Sequence, residues 1–202
     1  MNIDFESFKT LLTLEHQSFI KDSDSATARQ WKAALKSFEH SVSCFVAPYG
    51  LTATSSWGKG RWTYCPWLVM RYTDIAPTHT KGIYTSFTFG WNDHSAILSL
   101  IQGVEKTSTQ ERIRTKLALQ KHIKDTGSFT PAPCTYPNID YKGSSAFKSL
   151  VEDLVNGMTF WKAPYTPQTL TSVAQLEADI KELIGIYSRV RDFVQSGGLR
   201  SK

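Results

Sequence analysis

Residues 83–89 alternate with a period of two: Ile83, Phe87 and Phe89 fall on one side, and Tyr84, Ser86 and Thr88 on the other. A strand satisfies that spacing and a helix does not. The same period governs 67–73, where Leu68, Met70 and Tyr72 share one face and Trp67, Val69 and Arg71 share a wetter, more cationic one. Residues 51–57 read as the preceding strand, left through the Gly58-Lys59-Gly60 turn, and 96–101 form a near-continuous apolar run stopped by Gln102-Gly103. Short β-prone runs separated by turn residues predict one mostly antiparallel sheet over about 44–103.

Helical spacing brackets that sheet. Phe5, Phe8, Leu11, Leu12 and Phe19 predict a helix over 4–21 behind Asp4 as N-cap, and Trp31, Ala34, Leu35, Phe38 and Val42 mark a second helix with a core-facing stripe. Ser108 with Glu111 makes a capping box that opens a basic helix to about Lys124, read as a solvated face. Residues 126–142 read as an irregular loop. Phe147, Leu150, Val151, Leu154 and Val155 predict a further helix, and the stripe from Val173 through Tyr187 to Val194 predicts the last, ended by Gly197-Gly198. The expected class is α+β, a mostly antiparallel central sheet flanked by N- and C-terminal helices. A single domain over 1–202 follows, with its C-terminal helical part at about 143–195.

The most unusual composition lies in 57–67. Trp57, Trp62, Tyr64 and Trp67 stand among Lys59, Arg61 and two glycines, with Arg71 and Lys81 close by. Aromatic faces stack bases, cations hold phosphates and glycines admit a close backbone, so the mixture suits nucleic acid. Each residue also has a plainer use: Trp67 as a strand aromatic buried against a helix, Trp62 or Tyr64 closing the turn, the glycines serving a hairpin, the cations solvated. The net charge of +5 favours an acidic partner only slightly.

Chemistry of other kinds finds little support. Cys44, Cys65 and Cys134 are odd in number and widely spaced, unlike a zinc ribbon or a disulfide framework. His79 and His94 lie in turns without second ligands at metal spacing, and His40 with Cys44 lacks a third, orienting group. No GxxxxGK[ST] phosphate loop and no acidic nuclease-like cluster occurs. Catalytic residues, metal and cofactors are therefore expected to be none. No stretch approaches a membrane span and the start lacks a secretory signal, which predicts a cytoplasmic protein that makes no use of a membrane.

The order of signals (Gly58-x-Gly60, Pro66-Trp67, Lys81-Gly82-Ile83-Tyr84, the 98–103 run and the late helix with Tyr187) resembles the N-terminal domain of McrB-type modification-dependent restriction proteins. The resemblance covers nearly the whole chain. It implies a non-enzymatic DNA-recognition domain of a phage-defence restriction system that flips a modified base, 5-methylcytosine in the best-understood members, into an aromatic pocket. A GTPase motor and a nuclease on other domains or subunits would be its partners, beside duplex DNA. Trp67 matches the family tryptophan of the pocket, Tyr84 a tyrosine on the adjacent strand and Tyr141 a later aromatic. Lys59 stands where the methylcytosine reader has a tyrosine, so Trp57, Trp62 or Tyr64 would stack instead while Lys59, Arg61, Arg71 and Lys81 take phosphates. A nucleic-acid binder that reads sequence or single strands without modification stays open, as does a protein–protein adaptor or a small hydrolase using the same groove.

Overall fold

In the computed structural model, which describes residues 2–14, 24–58, 66–90, 94–103, 107–132, 152 and 155–199, helix α1 is Phe5–Thr13, capped where Asp4 Oδ1 accepts from the Ser7 amide at 3.0 Å. It stops well short of position 21. The Thr10 and Thr13 hydroxyls turn back onto the carbonyls of Glu6 and Lys9, and Leu14 is already extended with ψ at 129°. Phe19 lies outside the described residues. Helix α2, Ala26–Val46, starts at a Ser25 cap and buries Trp31, Ala34, Leu35, Phe38 and Val42. It continues past Cys44 into a single 3-10 turn over Ala47–Tyr49, so strands begin only at Thr52.

The strands are β1 (Thr52–Ser56), β2 (Trp67–Arg71), β3 (Ile83–Phe89), β4 (Ala96–Gln102), β5 (Thr130–Pro131) and β6 (Met158–Trp161), with α3 (Thr109–His122) and α4 (Val173–Gln195) after β4 and β6 respectively. They form one sheet in the order β1-β2-β3-β4-β6-β5, antiparallel at every pairing. The architecture is α+β, with helices at both ends of the chain. Strands β5 and β6 come from stretches without a strand signal in the sequence, and β6 joins β4 through a register shift at Leu100/Ile101.

One face of the sheet carries the main core. Leu68, Met70, Ile83, Phe87, Phe89, Leu98, Leu100 and Phe160 meet the stripes of α1, α2 and α4 in a single apolar cluster, where Phe8 packs edge-on against Phe87, Phe89 and Tyr165. Tyr187 of α4 reaches the β2–β3 hairpin. Its hydroxyl donates to the Ile83 carbonyl at 2.5 Å and accepts from the Tyr72 amide at 3.1 Å, and burial pushes its phenol above the ordinary range. Gly197, at φ 85°, ends α4 in the left-handed region that glycine tolerates.

The far end of the sheet is fastened by a carboxylate. Asp179 of α4 is 2% exposed and accepts from Lys162 Nζ at 2.6 Å, Gln175 Nε2 at 2.6 Å and the Tyr165 hydroxyl at 2.7 Å. A buried carboxylate is tolerable only with such a set of donors. Among the described residues no helix is long and apolar enough to cross a membrane.

Helix α3 departs from a solvated face. Its capping box is present, but Arg112 and Lys116 are buried: Lys116 Nζ donates to the Val155 carbonyl at 3.0 Å, and Arg112 to Thr107 O and Thr109 Oγ1. One turn on, Gln120 Nε2 bridges the carbonyls of Ala132 and Thr159 at 2.9 Å each, holding β5 and β6 together. Arg and Lys bury their long stems readily when the charged tip finds carbonyls, and sequence alone does not display those carbonyls.

Candidate nucleic-acid interface

The opposite face of the sheet is built from the residues that alternate away from the main core. Register sets Trp67 beside Thr88 and Thr88 beside Ile97. A second row runs Val69, Ser86, Ser99, Trp161, and a third runs Tyr84, Ile101, Met158. Val69, Tyr84, Ile97, Ile101 and Met158 make a second apolar cluster with Ala76, Ala132 and Val155, against which Trp67 and Trp161 pack half-buried. Aromatic rings therefore stand at several places on this face, and between them lie small hydroxyl side chains: Ser86, Thr88 and Ser99 are all buried.

The polar reading of this face is corrected by that burial. Tyr84 is only 8% exposed, and loss of water pushes its phenol up to about 12, so at neutral pH it is an uncharged ring with a hydroxyl. Trp67, by contrast, keeps part of its indole accessible, and its ring stacks on His79 with centroids 4.8 Å apart and planes 26° from parallel. His79 had no such role in the sequence, because nothing in a turn histidine's neighbours signals a stacking partner twelve positions upstream.

The loop that delivers His79, residues 73–82, is firmly seated. Arg71 Nη1 donates to the carbonyls of Ala76 and Pro77 at 2.8 Å each, which gives this cation a structural task at the base of the loop. Asp74 accepts from Arg191 and Gln195 of α4 at 2.8 and 2.7 Å. Gly82 has φ at 93°, and a Cβ there would sit 2.1 Å from the Ile75 carbonyl oxygen; one on Gly103 would sit 2.2 Å from that of Thr80. Both glycines of the sequence pattern thus let backbone pass against backbone. Lys81 is exposed, bridged to Thr78 across the loop tip.

Trp57 is placed elsewhere. It packs against the main core on the α2 side, with the ammonium groups of Lys32 and Lys36 5.9 and 5.5 Å from its ring centroid, and so does not share the face of Trp67. Lys59, Arg61, Trp62, Tyr64 and Tyr141 lie outside the described residues. The structure therefore brings together Trp67, Tyr84, Arg71 and, at the loop tip, Lys81. It adds His79, the buried serines and Trp161, whose strand went unrecognised because four residues are too few to show a period.

No curated protein and no solved structure matches the chain. A family model described as MrcB-like, N-terminal domain matches it over residues 20–192.

Proposed function

The chain belongs to the MrcB-like N-terminal domain family, the McrB-type domain that its sequence resembles, and on that premise we propose that it is a DNA-binding domain of a restriction system that reads a modified base. The observation that carries this reading is the second sheet face, where Trp67, held flat against His79, shares an apolar cluster with the uncharged Tyr84. A stacking ring and a dry, neutral one on the same sheet face suit a base withdrawn from the duplex better than they suit an ion. Lys81, with Lys59 and Arg61 from the neighbouring stretch, would hold phosphates; Arg71 would contribute mainly by holding the loop. The GTPase motor and the nuclease that act on such a signal would reside on other domains or subunits, and this domain itself would perform no chemistry.

Lys59, at the position of a family tyrosine, favours a second reading, a nucleic-acid binder indifferent to modification. One experiment separates the two. The same duplex is amplified with dCTP, 5-methyl-dCTP or 5-hydroxymethyl-dCTP, so that every sequence context is sampled, and affinity is measured at low and high salt. Binding of all products should weaken steeply with salt as phosphate counterions are released, and a modified product should bind about tenfold tighter than the plain one, the worth of one well-held base. Equal affinity for all three supports the second reading. No binding at low salt removes nucleic acid from consideration.

A further inference from the structure

The proposed base site has a floor as well as walls, and a hydroxyl at the centre of that floor is unaccounted for. Ser86 and Ser99 are register partners in the middle of the second face, with Val69 beyond Ser86 and Trp161 beyond Ser99. Both are buried, 3% and 0% exposed. The Ser86 hydroxyl donates to the Phe87 carbonyl at 3.2 Å. The Ser99 hydroxyl, equally shut off from water, has no hydrogen-bond partner among the described residues. Leaving such a group unpaired costs about 1–3 kcal/mol, and apolar residues fill a sheet centre without that cost. The two residues flanking it in β4, Leu98 and Leu100, belong to the main core on the other face, so the hydroxyl is directed to the second face by the pleat.

We propose that Ser99 is a specificity-determining residue of this domain, its hydroxyl hydrogen-bonding the polar edge of a base held on the second face between Tyr84 and Trp161. This rests on the base-reading function proposed above. A serine hydroxyl can accept from an exocyclic amine or donate to a ring nitrogen or carbonyl, which is what a nucleobase edge offers and an aliphatic ligand does not. Tyr84 lies diagonal to Ser99 across the β3–β4 pair, within the reach of an aromatic side chain, so a ring packed on Tyr84 would bring its edge over the serine.

The test compares Ser99→Ala with Ser41→Ala in the full chain, using urea unfolding and affinity for the 5-methyl-dCTP and dCTP duplexes. Ser99→Ala should fold as stably as the parent or more so, because it deletes an unpaired buried hydroxyl, yet lose about tenfold in affinity for the modified duplex while binding the plain duplex unchanged. Ser41→Ala, the same change at a buried serine of α2 behind the sheet, should keep the parent's preference. Retained preference in Ser99→Ala overturns the assignment, and so does an equal loss in both variants, which would implicate general stability instead of the hydroxyl. A parent chain with no preference for any modified duplex overturns the base-reading function first and this inference with it.

Discussion

Tyr84 shows how one buried phenol makes the fold sensitive to alkali. A tyrosine in the unfolded chain gives up its proton near pH 10, whereas the folded protein holds this one to about 12 because burial penalises the anion. Its contribution is complete below pH 10 and is lost as pH climbs from about 10 to about 12, at about 1.4 kcal/mol per pH unit. Tyr165 and Tyr187, pushed up by burial and, for Tyr165, by the adjoining Asp179, steepen the same limb. Tyr84→Phe should therefore unfold in urea with a pH slope shallower by about one proton over that range; an unchanged slope would mean that the phenol is solvated. The sequence told which way Tyr84 points and misjudged what covers it. Its face neighbours Ser86 and Thr88 carry hydroxyls, but these are small enough to be buried, so alternation conveys orientation and not coverage.

At the scale of an element, the 73–82 loop is the part of the site whose shape rests on glycine. Gly103→Ala would drive a Cβ to within 2.2 Å of backbone oxygen, and the loop would have to lift from β4. Gly50 makes a useful contrast: its φ is 76° but nothing lies within 4 Å of a Cβ built there. Gly50→Ala should cost about 1–2 kcal/mol in backbone strain alone, and Gly103→Ala about 3 kcal/mol, from overpacking, together with faster amide exchange over 73–82. If the two cost the same and exchange is unchanged, the loop is not seated as described. Gly82 and Gly103 were visible in the sequence as members of a pattern, without their reason, since a close approach between loop and strand is a property of tertiary structure. The helices were legible because each offers many turns of one stripe; α1 ended early because two threonine hydroxyls and an extended Leu14 act at a single turn, below what periodicity can resolve.

Across the whole molecule, the last helix does the joining. It meets the β2–β3 hairpin through Tyr187 and the β6 end of the sheet through Asp179. Asp179→Ala would strand the Lys162 ammonium and the Tyr165 hydroxyl, and should destabilise the fold by about 3–5 kcal/mol, read as a lower urea midpoint with an unaltered dependence on denaturant. A loss under about 1 kcal/mol would assign the network to surface decoration. That network escaped the sequence reading because Asp179 stands in an otherwise apolar stripe, where one acid looks like an interruption and not a junction.

Because α1, α2 and α4 all gather on the same side of the sheet, the six strands act as a bulkhead with the chain's described ends behind it and the candidate nucleic-acid face in front. Cargo attached beyond α4 would ride on the sheltered side, much as a handle is mounted behind a shield. If the front face reads DNA as proposed, substitutions at the second-face positions of β2, β3 and β4 would change what is read while leaving the mounting behind them the same.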